Sequence, residues 1–167
     1  MLLKKYFLEQ LEREAVASRK VVERVPEGQN TWKPHERSME LGYLTALVAT
    51  MPGWPAFMID RDELDLDDPA GSFRTRPIAS KAELLRALDE GTENSRRALE
   101  TTTEKHLMEC WRLKAGERVL AEGPRYQMIA DGALAHLAHH RGQLTVYLRL
   151  QDSRVPAIYG PSADEYH

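Results

Sequence analysis

Hydrophobic positions recur with helical spacing in four stretches of the chain. The first stretch runs from about Leu2 to Val25 and ends at Pro26. Its inward-facing positions, three or four residues apart, are Leu3, Phe7, Leu11 and Glu14. This spacing places one stripe along one face of a helix, because a helix advances 3.6 residues per turn.

The second stretch begins near Ser38, a residue type that caps helices because its oxygen accepts a hydrogen bond from the first turn. Its apolar face consists of Met39, Tyr43, Leu44, Leu47, Val48 and Met51. Pro52 and Gly53 then interrupt the pattern, which predicts a kink or an end of the helix.

An acidic, turn-rich segment from Asp62 to Pro77 separates the second and third helices and is predicted to be a surface loop. The third helix starts at Ser80, where the sequence SKAE forms a capping box with Glu83. A thinner apolar stripe carries this helix to about Thr103.

Within residues 106–122, apolar and polar residues alternate on both sides of Gly116, which predicts a short hairpin or another extended segment. The fourth helix runs from Pro124 to about Leu150, because proline suits a first helical turn. A tail rich in proline and glycine follows. Four amphipathic helices predict a single all-α domain over residues 1–167, a four-helix bundle with long connections.

Composition narrows the class of protein. The chain has 167 residues, of which 42% are hydrophobic and 29% charged, and its net charge is -3. These values indicate a soluble globular domain and give no electrostatic reason to expect nucleic-acid binding. There is no signal peptide pattern and no apolar run long enough to span a membrane. Cys110, the single cysteine, suits a reducing cytoplasm, and we expect its thiol to be buried or inert.

Three histidines lie within HLAHHRGQL, residues 136–144. His136 and His140 are four residues apart, so both rings project from one helix face and can share a divalent metal. Zinc proteases with the HExxH motif carry a glutamate after the first histidine, and Leu137 stands there instead. His139 points elsewhere and is expected to be exposed. The alternative for His136 and His140 is a partly buried, hydrogen-bonded pair without metal.

Two segments resemble a known family. HLAHHRGQLTVYLR with the following VPAIYGPSADE is similar to the C-terminal signature of DinB-like proteins, and TWKPHERSMELGYL resembles the start of that family's second helix. The resemblance implies a four-helix bundle, a homodimer, and a nickel or zinc ion held by three histidines. It maps two of them onto His136 and His140. Related proteins are transferases and isomerases that use small thiols, and a role in stress response is a further expectation.

The third histidine of the family falls at Leu47 in this sequence, and leucine has no lone pair to donate. Three outcomes remain open: the metal is lost, it binds through His136, His140 and water, or another residue replaces the missing ligand. The replacement candidates are His35, His106, Tyr43 and Glu40.

Two functions are therefore predicted as alternatives. The first is a metal-dependent protein related to thiol-dependent transferases, with Gln143 or Tyr147 near the substrate. The second is a metal-free, non-enzymatic structural or stress-response bundle, in which Leu47 adds to the core.

Overall fold

The computed structural model describes residues 2–68, 75 and 77–166. In chain order its elements are α1 (Leu2–Val22), α2 (Leu41–Thr50), a 3-10 turn (Met51–Gly53), α3 (Trp54–Asp60), β1 (Glu63–Asp65), α4 (Lys81–Thr101), α5 (Glu104–Met108), β2 (Cys110–Ala115), β3 (Arg118–Pro124), α6 (Arg125–Met128), a π-helical segment (Ile129–Ala135) and α7 (His136–Leu150). The helices α1, α2, α4 and α7 pack side by side, with α1 and α2 each contacting both α4 and α7. The four helical stretches predicted from the sequence are thus present.

The start of α4 follows the predicted capping box. The Ser80 hydroxyl accepts a hydrogen bond from the Glu83 backbone N–H at 3.2 Å. The corresponding prediction for α2 is wrong, because this helix begins at Leu41 and no side chain caps it. Backbone carbonyls of the preceding loop take that role: Leu41 N–H donates to Trp32 O, and Gly42 N–H donates to Asn30 O. No serine cap is needed where the loop itself supplies acceptors.

The predicted break at Pro52 and Gly53 is present as the 3-10 turn between α2 and α3. Breaking a helix exposes backbone groups, and Ser95 of α4 satisfies two of them. Its buried hydroxyl donates to Pro52 O at 2.6 Å and accepts from Ala56 N–H at 3.1 Å. Gly53 also lies close to Gly91: a Cβ at Gly53 would stand 3.2 Å from Gly91 Cα, and a Cβ at Gly91 would stand 3.0 Å from Gly53 N, so a side chain at either position would push the two backbones apart. The contacts of Ser95 and Gly91 on α4 therefore stabilise the kink between α2 and α3.

The prediction of an all-α fold is confirmed only in part: the fold is mainly helical, but β1, β2 and β3 add a three-stranded sheet. The expected hairpin is present: β2 and β3 pair antiparallel around Gly116, whose φ of +58° suits a tight turn. The segment predicted as a loop contributes β1, which pairs parallel with β2. The part of that loop at 69–74 and 76 lies outside the described residues. The three residues of β1, Glu63–Asp65, are too few to show a strand pattern in the sequence. Their extended conformation therefore depends on pairing with β2.

A buried arginine ties the sheet to the helices. Arg125, fully buried at the start of α6 directly after β3, donates to the carbonyl oxygens of Met58, Arg61 and His106 and to the carboxylate of Asp62. These acceptors include carbonyls at the C-terminal end of α3, which the helix itself leaves unpaired. Arg125 therefore satisfies three backbone carbonyls at once and links α3, α5 and the start of α6.

The core consists of two apolar clusters. One joins α1, α2, α4 and α7, and the other joins the N-terminal half of α1 with α3, the end of α4, the sheet and the π-helical segment. Trp54 packs against both clusters. Among the described residues, no helix combines the length and the apolar character needed to cross a bilayer.

Candidate metal site

His136 and His140 face each other at the N-terminal end of α7. Their Nε2 atoms lie 2.8 Å apart, a hydrogen-bond distance. The His140 side chain is buried, with 6% of the residue exposed, whereas His136 is exposed. The pair thus lies at the edge of the core, as the helical spacing predicts. His139 is exposed, as predicted.

Gln143 contacts the other nitrogen of the buried ring. Its side-chain oxygen lies 2.8 Å from His140 Nδ1. An amide oxygen only accepts hydrogen bonds, so His140 must donate from Nδ1 in this arrangement. A neutral His140 then carries its lone pair on Nε2, and His136 donates to that nitrogen. Gln143 or Tyr147 was predicted to lie near a substrate, and this stays a prediction; Gln143 contacts His140 directly.

The surroundings keep His140 neutral. Burial lowers the pKa of its imidazole below the usual 6.5, the hydrogen bond to Gln143 acts in the opposite direction, and the His136 and His139 rings lower the pKa further. Only an unprotonated imidazole nitrogen can bind a metal. The local electrostatics of His140 therefore favour the ligand form at neutral pH.

Two features beside the histidines are not visible in the sequence pattern. The indole of Trp54 lies edge-on to the His136 ring, with centroids 5.6 Å apart. In addition, the helix before His136 is π-helical, and His136 N–H donates to Asp131 O, five residues back. Such segments often accompany functional sites. Neither feature can be predicted from the residues around His136. The Trp54 contact depends on how α3 packs, and the π-helical turn depends on how the helix packs against its neighbours.

No third protein ligand completes the pair. Leu47 is buried in the same apolar cluster as α7 residues Leu137 and Leu144. His106 bonds instead to Ile59 O and to the Glu109 carboxylate, both within 3 Å. Within the described part of the chain, no three His, Cys, Asp or Glu side chains are grouped so that they could hold one ion.

The other proposed replacements are also engaged elsewhere or face solvent. His35 is exposed, and its Nδ1 accepts a hydrogen bond from the Arg37 backbone. Glu40 and Tyr43 are exposed as well, while the Tyr147 hydroxyl donates to Met39 O. The described residues therefore offer two nitrogen donors and not the three-histidine set.

The geometry of those two donors suits a metal after a small movement. Two nitrogen ligands about 2.0–2.1 Å from a tetrahedral zinc ion stand about 3.3 Å apart. The observed Nε2–Nε2 separation is 2.8 Å. Because the His136 ring is exposed, its proton can move to Nδ1 on the solvent side, which frees Nε2. His136 and His140 would together supply two nitrogen donors to an ion, and its other ligands would have to come from outside these two side chains.

Cys110 differs from the expectation of a buried thiol. The residue is exposed on β2. That the Cys110 thiol is inert stays a prediction, because exposure alone does not activate a thiol.

The fold is that of a DinB-like protein. A crystal structure of a DinB-like protein from Bacillus subtilis, YjoA, matches with a TM-score of 0.63, over 89% of this chain and 94% of that chain, at 21% sequence identity. No family model matches the sequence, and neither does any curated protein. The match confirms the DinB-like resemblance at the level of the fold.

Proposed function

We propose that this protein binds a divalent transition metal, nickel or zinc, through His136 and His140. The observation that carries the proposal is the pair of Nε2 atoms 2.8 Å apart, with the far nitrogen of His140 held by Gln143. Imidazole nitrogen is a preferred donor for both ions. The resemblance to DinB-like proteins selects these two metals among those that imidazole binds.

The open coordination positions suit a small thiol and water. A bound divalent ion lowers the pKa of a coordinated water or thiol and so supplies a nucleophile at neutral pH. In this chain the buried His140 would supply one ligand from the core side, and the exposed His136 would supply the other from the solvent side. Trp54 supplies an apolar wall beside His136. A thiol-dependent transferase is the activity that these features and the resemblance support together.

The direct test is calorimetric titration of tag-free protein with Ni²⁺ and with Zn²⁺. We expect one saturable site per chain, weaker than a site with three histidines because the third ligand is absent. The double variant H136A/H140A should lose it. His139→Ala, which removes an exposed histidine from the same helix, is the matched control and should bind as the wild type does. Absence of saturable binding to the wild type would reject the proposal.

One observation favours a second candidate, a metal-free helical protein. Leu47 is buried in the core where the resemblance expects a ligand, so the apolar interior is complete without an ion. In that case the two histidines act only as a hydrogen-bonded pair at the core edge. Loss of stability in H136A/H140A, together with no metal binding by the wild type, would select this candidate.

A further inference from the structure

We infer that Gln143 is a positioning residue: it holds the proton of His140 on Nδ1 and thereby presents the Nε2 lone pair toward His136. The inference about the proton concerns the metal-free protein and stands on geometry alone. Its consequence for metal affinity rests on the proposed function.

The position of Gln143 explains how a single side chain can do this. It follows His140 by three residues on α7, so the two side chains lie on neighbouring points of one helix face. The Oε1–Nδ1 distance of 2.8 Å leaves no room for an intervening water. The amide is half-buried and the ring buried, which strengthens the bond relative to one exposed to water.

The direction of the hydrogen-bond chain decides which lone pair is available. With Gln143 accepting, the order is His136 Nε2–H to His140 Nε2, and His140 Nδ1–H to Gln143 Oε1. If the amide group donated instead, His140 would carry its proton on Nε2, facing His136, and could not serve as a ligand there. Residues of this kind, which orient a ligand histidine, typically change metal affinity by about 10–100-fold when removed.

Three variants separate these possibilities. Gln143→Met keeps length and removes both the acceptor and the donor. Gln143→Glu keeps an acceptor but cannot donate while ionised. Gln10→Met, a half-buried glutamine of α1, serves as the control for the substitution itself. Circular dichroism verifies that each variant is folded.

The primary measurement is the tautomer of His140 in metal-free protein, read from long-range ¹H–¹⁵N NMR spectra at a pH where the ring is neutral. We expect the Nδ1–H form in the wild type, in Gln10→Met and in Gln143→Glu, and a mixed population in Gln143→Met. An Nε2–H form in the wild type, or an unchanged tautomer in Gln143→Met, would overturn the inference. If Gln143→Met does not fold, a different tautomer in Gln143→Glu than in the wild type overturns it equally.

The second measurement is titration of the same proteins with Ni²⁺ and Zn²⁺. We expect Gln143→Met to bind about 10–100-fold more weakly than the wild type and Gln143→Glu to bind at least as tightly. Equal affinity of Gln143→Met and wild type would refute the link to the metal. A wild type that binds no metal, but whose tautomer shifts in Gln143→Met, rejects the proposed function and leaves the role of Gln143 intact.

Discussion

His140 and Arg141 occupy successive positions of α7, and both side chains are buried, yet their polar atoms are satisfied in different ways. Successive helix positions point about 100° apart, so His140 faces His136 while Arg141 faces α1. Arg141 donates to the backbone and carboxylate of Glu14, to the Ser18 hydroxyl and to the Tyr159 hydroxyl.

These contacts use most of what the guanidinium can offer. Tyr159 in turn donates to Glu14, so the charged pair, Ser18 and the C-terminal tail form one closed network. In the histidine pair, by contrast, one nitrogen of His140 meets only an exposed ring, which water can replace. A buried polar group with a saturated set of partners acts as a structural bond. A buried polar group with one exchangeable partner retains the capacity to bind something else.

Breaking the Arg141 network should have the largest effect on the molecule. Arg141→Met leaves the buried Glu14 side chain without its counter-charge, and such losses cost about 3–5 kcal/mol. We expect the free energy of unfolding, measured by urea denaturation, to fall by that amount. Arg86→Met, which removes an exposed arginine paired to Glu90, is the control and should have little effect.

A double variant makes this prediction sharper. Adding Glu14→Leu to Arg141→Met removes the stranded charge, and replacement of a whole buried pair by apolar groups is often near neutral. We therefore expect the double variant to recover most of the stability that the single variant loses. No recovery would indicate that the stabilising element is the packing of the guanidinium and not its charge.

The opposite manipulation is to complete the histidine pair. Leu47→His adds an imidazole to α2 in the cluster that faces α7, and a third ligand should tighten Ni²⁺ and Zn²⁺ binding at least about tenfold, equivalent to about 1.4 kcal/mol. Burial of the new polar group should lower the free energy of unfolding of the metal-free protein by about 1–3 kcal/mol.

Val16→His is the control for this experiment, because it adds a histidine at an exposed position of another helix, α1. It should leave metal affinity unchanged. An equal affinity of Leu47→His and the wild type would mean that Leu47 does not occupy the position of the missing ligand.

The parts of the fold that depend on local sequence could be predicted, whereas the parts that depend on contacts between distant segments could not. Helical periodicity is local, so α1, α4 and α7 could be predicted, as could the cap at Ser80 and the turn at Gly116. The strand β1 could not, because three residues acquire strand geometry only by pairing with β2, about 50 residues away. Glu14 was predicted on the inward stripe of α1. A charge in that place requires a buried partner, but nothing in the local sequence identifies Arg141.

In the candidate site, too, contacts within one helix could be predicted and contacts between helices could not. His136, His140 and Gln143 are related by spacings of four and three on one helix, so their proximity follows from the sequence. The edge-on contact of Trp54 does not, because it depends on where the kink at Pro52 directs α3. The missing third ligand could be predicted at Leu47 only through the resemblance.

Replacing His140 itself should cost far less stability than replacing Arg141. His140→Leu removes hydrogen bonds whose other members, the exposed His136 and the half-buried Gln143, can reach water. The net value of such a bond is about 0.5–1.5 kcal/mol, and the added apolar volume offsets part of it. Urea denaturation of metal-free protein should show a loss of about 1 kcal/mol or less. A loss as large as that of Arg141→Met would assign the histidines a structural role.

The smallest predicted effect concerns the tail that carries Tyr159 to Arg141. The Arg149 guanidinium and then the Val155 N–H hold the pKa of Asp164 below its ordinary 3.8, while the Ala157 N–H and then Arg24 hold that of Glu165 below 4.5. Because the folded chain binds these protons less readily than the unfolded chain, both carboxylates stabilise the docked tail above those values. Their contribution is lost as the pH falls through the lower folded pKa values.

NMR titration of two amides tests this directly. The Val155 N–H donates to Asp164 at 2.8 Å and the Ala157 N–H donates to Glu165 at 3.0 Å, so each amide shift reports one carboxyl group. We expect midpoints below pH 3.8 for Val155 and below pH 4.5 for Ala157. Asp164→Asn should abolish the first titration and leave the second. Midpoints at or above the ordinary values would show that the tail is not anchored by these carboxylates, and that the Arg141 network holds Tyr159 without their help.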